Sequence, residues 1–95
     1  MKKVVFLATL MISSTLFARD YVSMKGSSTV FPFATIVAEQ LGKNPNIKTP
    51  VVESGGSSVG KKGVCEGTGV KFVDIGNASS RMKKKELAFC EKNNV

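Results

Sequence analysis

Apolar positions along the chain fall into three short runs, each followed by residues rich in glycine, serine or asparagine and then by a stretch with helical spacing. A different pattern stands ahead of them. Residues 4–12 are almost unbroken apolar sequence, preceded by Lys2 and Lys3 and followed by Ser13, Ser14 and Thr15, with the small residue Ala18 after Leu16 and Phe17. A basic start, a short apolar core and a small residue at a cleavage point are the layout of a secretory signal peptide over residues 1–18. The apolar run is too short to cross a bilayer about 30 Å thick. A buried N-terminal helix is the alternative. The mature chain is expected to begin at Arg19 and to form one domain over residues 19–95.

In the first of the three units, residues 21–24 read as a strand and residues 25–30 as a turn. Pro32 suits the first turn of a helix, where a missing N–H costs nothing. Phe33, Ile36, Val37 and Leu41 recur at i, i+3, i+4 and i+8, one apolar helical stripe, and Gly42 is a natural stop. In the second unit, residues 49–52 read as a strand and 53–60 as a loop. A short helix is expected over residues 61–65, weakened by Gly60 and Gly63 by about 1 kcal/mol each relative to alanine. In the third, residues 71–75 read as a strand, 76–80 as a turn and 82–92 as a helix with Ser80 as N-cap. Strands alternating with helices of these lengths predict βαβ units, a parallel sheet and an α/β fold of order βαβαβα.

Composition narrows the picture. Of 95 residues, 77 remain after the leader, enough for at most one small domain. A domain of that size buries only about 60% of its unfolded surface and gains from extra support. Cys65 and Cys90 fit an oxidising compartment, where a disulfide would close a loop of about 25 residues and stabilise the chain by roughly 3 kcal/mol; two unpaired buried thiols are the alternative. Without Lys2 and Lys3, 12 Lys and Arg face 7 Asp and Glu, a net charge of +5 that favours small anions, nucleic acid or acidic lipid alike. The cluster Lys83-Lys84-Lys85 has no interleaved aromatics, so it reads as a solvated helix start rather than a nucleic-acid contact. There is no histidine, and two cysteines alone do not make a metal site. Glu53 and Asp74 are not a spaced catalytic pair, and no nucleophile stands beside a base. The chain therefore reads as a non-enzyme without cofactor.

The three turns carry the chemistry. In a parallel α/β sheet, strand-to-helix turns lie outside the carboxyl ends of the strands, and each delivers a helix N-terminus with free N–H groups and partial positive charge. Hydroxyls add donors and glycines allow close approach. Gly26-Ser27-Ser28-Thr29-Val30, Ser54-Gly55-Gly56-Ser57-Ser58 and Asn77-Ala78-Ser79-Ser80-Arg81 all have this character and form candidate anion sites. Each alone is ordinary turn composition; three in succession are harder to dismiss. The nucleotide P-loop is excluded, because Gly60-Lys61 is followed by Lys62 instead of serine or threonine.

Residues 25–34 (KGSSTVFPFA) resemble the opening of the periplasmic phosphate-binding proteins of ABC transporters, and residues 50–57 (PVVESGGS) and 74–81 (DIGNASSR) resemble that family's second and third loops. Residues 90–95 are similar to a segment of its proteobacterial branch, which has cysteines near both positions. The resemblance implies a type II periplasmic-binding fold, of which this chain would be part of one lobe, and a periplasmic receptor that binds inorganic phosphate. It implies a monomer that passes its ligand to the membrane permease of an ABC phosphate transporter. Phosphate contacts fall on Ser28, Thr29 and the Val30 N–H, on Ser57, and on Ser79 or Ser80, with Arg81 a candidate charge-assisted contact. Some family members carry an aspartate where this chain has Ser79. A hydroxyl both donates and accepts, so sulfate or molybdate stays open as ligand. Family members are several times longer, so a truncated chain is expected; a nonfunctional remnant and an enzyme acting on phosphate esters are the remaining alternatives.

Overall fold

The computed structural model describes residues 19–95; the expected signal peptide at residues 1–18 lies outside them. The order is β1 (Ser23–Gly26), α1 (Phe31–Gly42), β2 (Val51–Ser54), α2 (Ser57–Cys65), β3 (Ile75–Asn77) and α3 (Lys84–Lys92). The strands form one parallel sheet in the order β2-β1-β3. Gly26, the last residue of β1, pairs with Ser54 on one side and Asn77 on the other, so all three strands finish on the same rung. The α/β class and the parallel βαβαβα order match the sequence expectation.

The boundaries differ in a consistent direction. Each strand runs two residues further than its hydrophobicity suggests, into what reads as a turn, and β3 lacks residues 71–74. A parallel ladder is built from main-chain groups, so glycine, serine and asparagine join it wherever their neighbours hold them in line. Helix α2 begins at Ser57, four residues before the expected start. Helix α3 begins at Lys84, and Lys83, not Ser80, is its N-cap. The Ser80 hydroxyl is already engaged, accepting a bond from Lys61 Nζ at 2.8 Å.

Helix α1 turns a different face inward from the one its hydrophobicity marks. Phe33 is 68% exposed, and Ile36, Val37 and Leu41 are exposed with it, whereas Ala38 is 3% exposed. The partly covered positions Phe31, Ala34, Thr35 and Gly42 lie on the Ala38 face, a stripe of mostly small residues. The described core is small: Met24 on β1, Ala38 on α1 and Cys65 on α2. Cys65 is wholly buried and forms a disulfide with Cys90, their Cα atoms 4.3 Å apart, which ties the end of α2 to α3. Asn93 Nδ2 adds a bond to the Cys65 carbonyl at 2.9 Å.

Asp74 works at the other edge of the sheet. Its carboxylate accepts from the Ser23 N–H at 2.8 Å and pairs with Arg19 at 2.9 Å, fixing the start of β3 to the start of β1. Glu53 sits opposite Lys25 in the ladder at 3.9 Å, an exposed pair that contributes little.

Helix α2 lies directly on the ends of β1 and β3. A Cβ on Gly60 would stand 2.5 Å from the Asn77 carbonyl oxygen and 2.7 Å from Gly26 Cα, both backbone atoms that cannot step aside. The glycine that weakens the helix as a peptide is what lets the helix reach the sheet. At Gly63 the nearest atom is a Val73 methyl at 3.1 Å, which can yield. Gly60→Ala is therefore expected to destabilise the fold by about 2 kcal/mol or more. Gly63→Ala is expected to stay within about 1 kcal/mol of neutral, since helix propensity offsets the contact. Thermal unfolding followed by circular dichroism distinguishes them; equal losses would contradict the close approach.

Lysines at 83–85 oppose the helix dipole at the start of α3. Glu86 answers them: its Oε1 accepts from the Lys83 N–H at 2.8 Å, half of a capping box, since a lysine side chain has no acceptor to complete it. That backbone bond does most to hold the Glu86 carboxyl below its ordinary 4.5; desolvation opposes it, and the Lys61 ammonium adds a smaller lowering. Because the folded value lies below the unfolded one, the stabilisation is present above pH 4.5 and lost as pH falls through the depressed folded value. Melting temperature is expected to drop across that acid window, and Glu86→Gln to flatten part of the drop.

Candidate anion-binding site

The three turns meet at the end of β1. The Gly26 carbonyl accepts from both the Gly55 N–H at 3.0 Å and the Gly56 N–H at 2.9 Å, which fastens the second turn there. The Ser27 N–H donates to the Asn77 carbonyl at 2.9 Å, which fastens the third. Convergence thus rests on main-chain hydrogen bonds between neighbouring strand ends.

In the first turn, Ser27 is 2% exposed and its carbonyl accepts the Phe31 N–H at 3.0 Å, opening α1. Its hydroxyl accepts the Val30 N–H at 3.2 Å. The Val30 amide, an expected anion contact, is engaged here by the buried Ser27 hydroxyl, which supplies an acceptor at the helix start. Ser28 and Thr29 are exposed at the turn.

The second turn ends at Gly56, the N-cap of α2, with φ 100° and ψ 160°, a conformation that glycine alone takes without strain. Ser57 follows as the first residue of the helix, beside its unpaired N–H groups and positive dipole end. Its hydroxyl reaches the third turn: Ser57 Oγ accepts from the Ser79 N–H at 2.9 Å and lies 3.0 Å from Ser79 Oγ. These two hydroxyls, 22 residues apart in sequence, are neighbours in space.

The third turn does not lead straight into a helix; the non-helical residues 78–83 separate β3 from α3. Ser79, Ser80 and Arg81 are placed by contacts with α2 instead. Lys61 Nζ donates to Ser80 Oγ at 2.8 Å and to the Arg81 carbonyl at 2.7 Å, while the Arg81 residue stays exposed. The site is thus framed by the starts of α1 and α2 and by a loop, rather than by three helix starts. Beside it a cleft of about 300 Å³ between α2 and α3 is framed by lysine stems and Phe89 as well as Ser58 and Glu86.

Of the residues singled out from sequence, the hydrogen bonds link Ser57, Ser79 and Arg81 through α2, and the ladder ends bring the Ser28-Thr29 turn alongside. Sequence reading placed Ser27 in the first turn without its bond to the Val30 amide, and missed Lys61. Lys61 lies one helical turn after Ser57, on the same face of α2, which is the signal that marks it once that helix is known to start at Ser57. Among the described residues, no group of three or more His, Cys, Asp or Glu is arranged to hold a metal ion.

Known proteins give the same direction. The model of the PBP superfamily domain matches residues 13–95. Protein SphX of Synechococcus elongatus (strain ATCC 33912 / PCC 7942 / FACHB-805) is 42% identical over 78 residues, covering 81% of this chain. The chain spans 22% of that relative's length. No solved structure matches significantly. On the family match over most of its length, and with a parallel α/β sheet whose turns converge at one edge, the chain belongs to the PBP, or periplasmic-binding-protein, superfamily.

Proposed function

We propose that the chain contributes to a periplasmic solute receptor that binds inorganic phosphate and delivers it to the membrane permease of an ABC transporter, without catalysing a reaction. The observation that carries this reading is the Ser57–Ser79 hydroxyl pair, set at the start of α2 and held by the Ser79 N–H. Hydroxyls and helix-start amides are neutral or partly positive donors, suited to an oxyanion and poorly suited to a cation or an apolar solute. Ser28 and Thr29 supply further donors from the neighbouring turn, and Arg81 a formal charge. Export to the periplasm agrees with the leader pattern at residues 1–18 and with the Cys65–Cys90 bond.

A second reading is supported by one residue. Ser79 stands where a carboxylate would accept the proton of phosphate, and a hydroxyl serves sulfate or molybdate equally well.

Isothermal titration of the purified full chain with inorganic phosphate tests the proposal. Binding is expected, and Ser57→Ala is expected to weaken it roughly 10- to 100-fold, the loss of one hydrogen bond to a charged partner. Competition by sulfate from pH 5 to 8 separates the ligands: displacement at every pH favours the second reading. No heat with phosphate, together with heat from another oxyanion, would remove phosphate as the ligand.

A further inference from the structure

Among the described residues, Lys61 combines a formal charge with burial: it is 3% exposed. An ammonium taken out of water costs several kcal/mol unless its protons are matched. Here the match is complete. Its three N–H donors meet three acceptors: Ser80 Oγ at 2.8 Å, the Arg81 carbonyl at 2.7 Å and Glu86 Oε1 at 3.4 Å. The first two are short; the carboxylate is the distant one. A lysine on α2 therefore spends its strongest contacts on the third turn.

The consequence for Ser80 is chemical as well as positional. Its oxygen accepts from a cation, so its own proton is free to be donated elsewhere. That donor is polarised by the charge behind it. Ser80 is exposed, whereas Ser79 Oγ is shared with Ser57. We infer that Lys61 is a positioning residue for the anion site. It fixes the turn at residues 79–81 and makes the Ser80 hydroxyl that turn's strongest donor to a tetrahedral oxyanion, without touching the anion. Glu86 tempers the effect, since its carboxylate offsets part of the buried charge. This inference rests on the phosphate reading above.

Lys61 and its partner Glu86 pull in opposite directions on binding, although both brace the fold, and that separates the inference from a purely structural role. Titration of the full chain with inorganic phosphate, with a thermal melt of each variant, reads both quantities. Lys61→Met is expected to weaken phosphate binding about tenfold. Lys62→Met removes the same formal charge from an exposed neighbour and is expected to change binding by less than about twofold. Glu86→Gln retains an oxygen to accept the Lys83 N–H but removes the charge opposing Lys61. It is expected to tighten binding roughly two- to threefold while lowering the melting temperature.

Should Lys61→Met fail to fold, Glu86→Gln decides the matter. Unchanged or weakened binding beside a lower melting temperature assigns Lys61 to bracing alone and overturns the inference. Phosphate binding that Lys61→Met leaves intact overturns it as well, with the phosphate reading still standing. An unaltered chain that gives no phosphate heat removes both.

Discussion

The structure depends on hydrogen bonds at the carboxyl end of β1. The Gly26 carbonyl gathers two amides of the second turn, and the Ser27 amide reaches the carbonyl that ends β3. Because the central strand pairs with both neighbours on the same rung, these few bonds bring three segments from distant parts of the chain to one edge. In the order β2-β1-β3 the chain leaves β1 toward one side and later returns past it to the other. Right-handed crossovers travelling in opposite directions place their helices on opposite faces, and the gap between the two loops that diverge there is where α/β sheets bind ligands.

Close contact has to be allowed before such bonds can form. Gly60 lets the axis of α2 settle onto the strand ends, and that position presents Ser57 to the third turn and carries Lys61 beneath it. The disulfide and the Asn93 amide hold α3 against the far end of the same helix. Helix α2 is thus the part through which sheet, third turn and α3 communicate. Its composition, with two glycines and two lysines among nine residues, suits this placement and not isolated helix stability.

Electrostatics at the site is arranged from behind. The donors facing the turns are amides and hydroxyls, while a formal charge sits buried under them, matched by a carboxylate that also caps α3. Neutral donors suit an anion without a flexible ionic partner, and the buried ammonium donates to one of the hydroxyls, Ser80. The apolar residues of α1 tell a different story. Phe33, Ile36, Val37 and Leu41 stay exposed while small residues meet the sheet.

The sequence by itself determined the α/β class, the order of six elements, the existence of α1 and α3 and the three polar turns. It could do so because helical spacing, a proline at a helix start and glycine-serine clusters are local signals. The polar character of the turns holding Ser28, Thr29, Ser57, Ser79 and Arg81 was legible for the same reason, while their individual roles as anion contacts rest on the family resemblance and remain part of the proposal. The ends of the strands, the early start of α2 and the inner face of α1 were decided only by tertiary structure. Each depends on a partner far away in sequence: a neighbouring strand that extends the ladder, the Gly26 carbonyl that fastens the turn ahead of α2, a sheet surface that accepts small residues. Lys61 shows the limit most clearly. In the sequence it is one of two adjacent lysines, and only the fold, by closing Ser80, Arg81 and Glu86 around its ammonium, distinguishes it from Lys62.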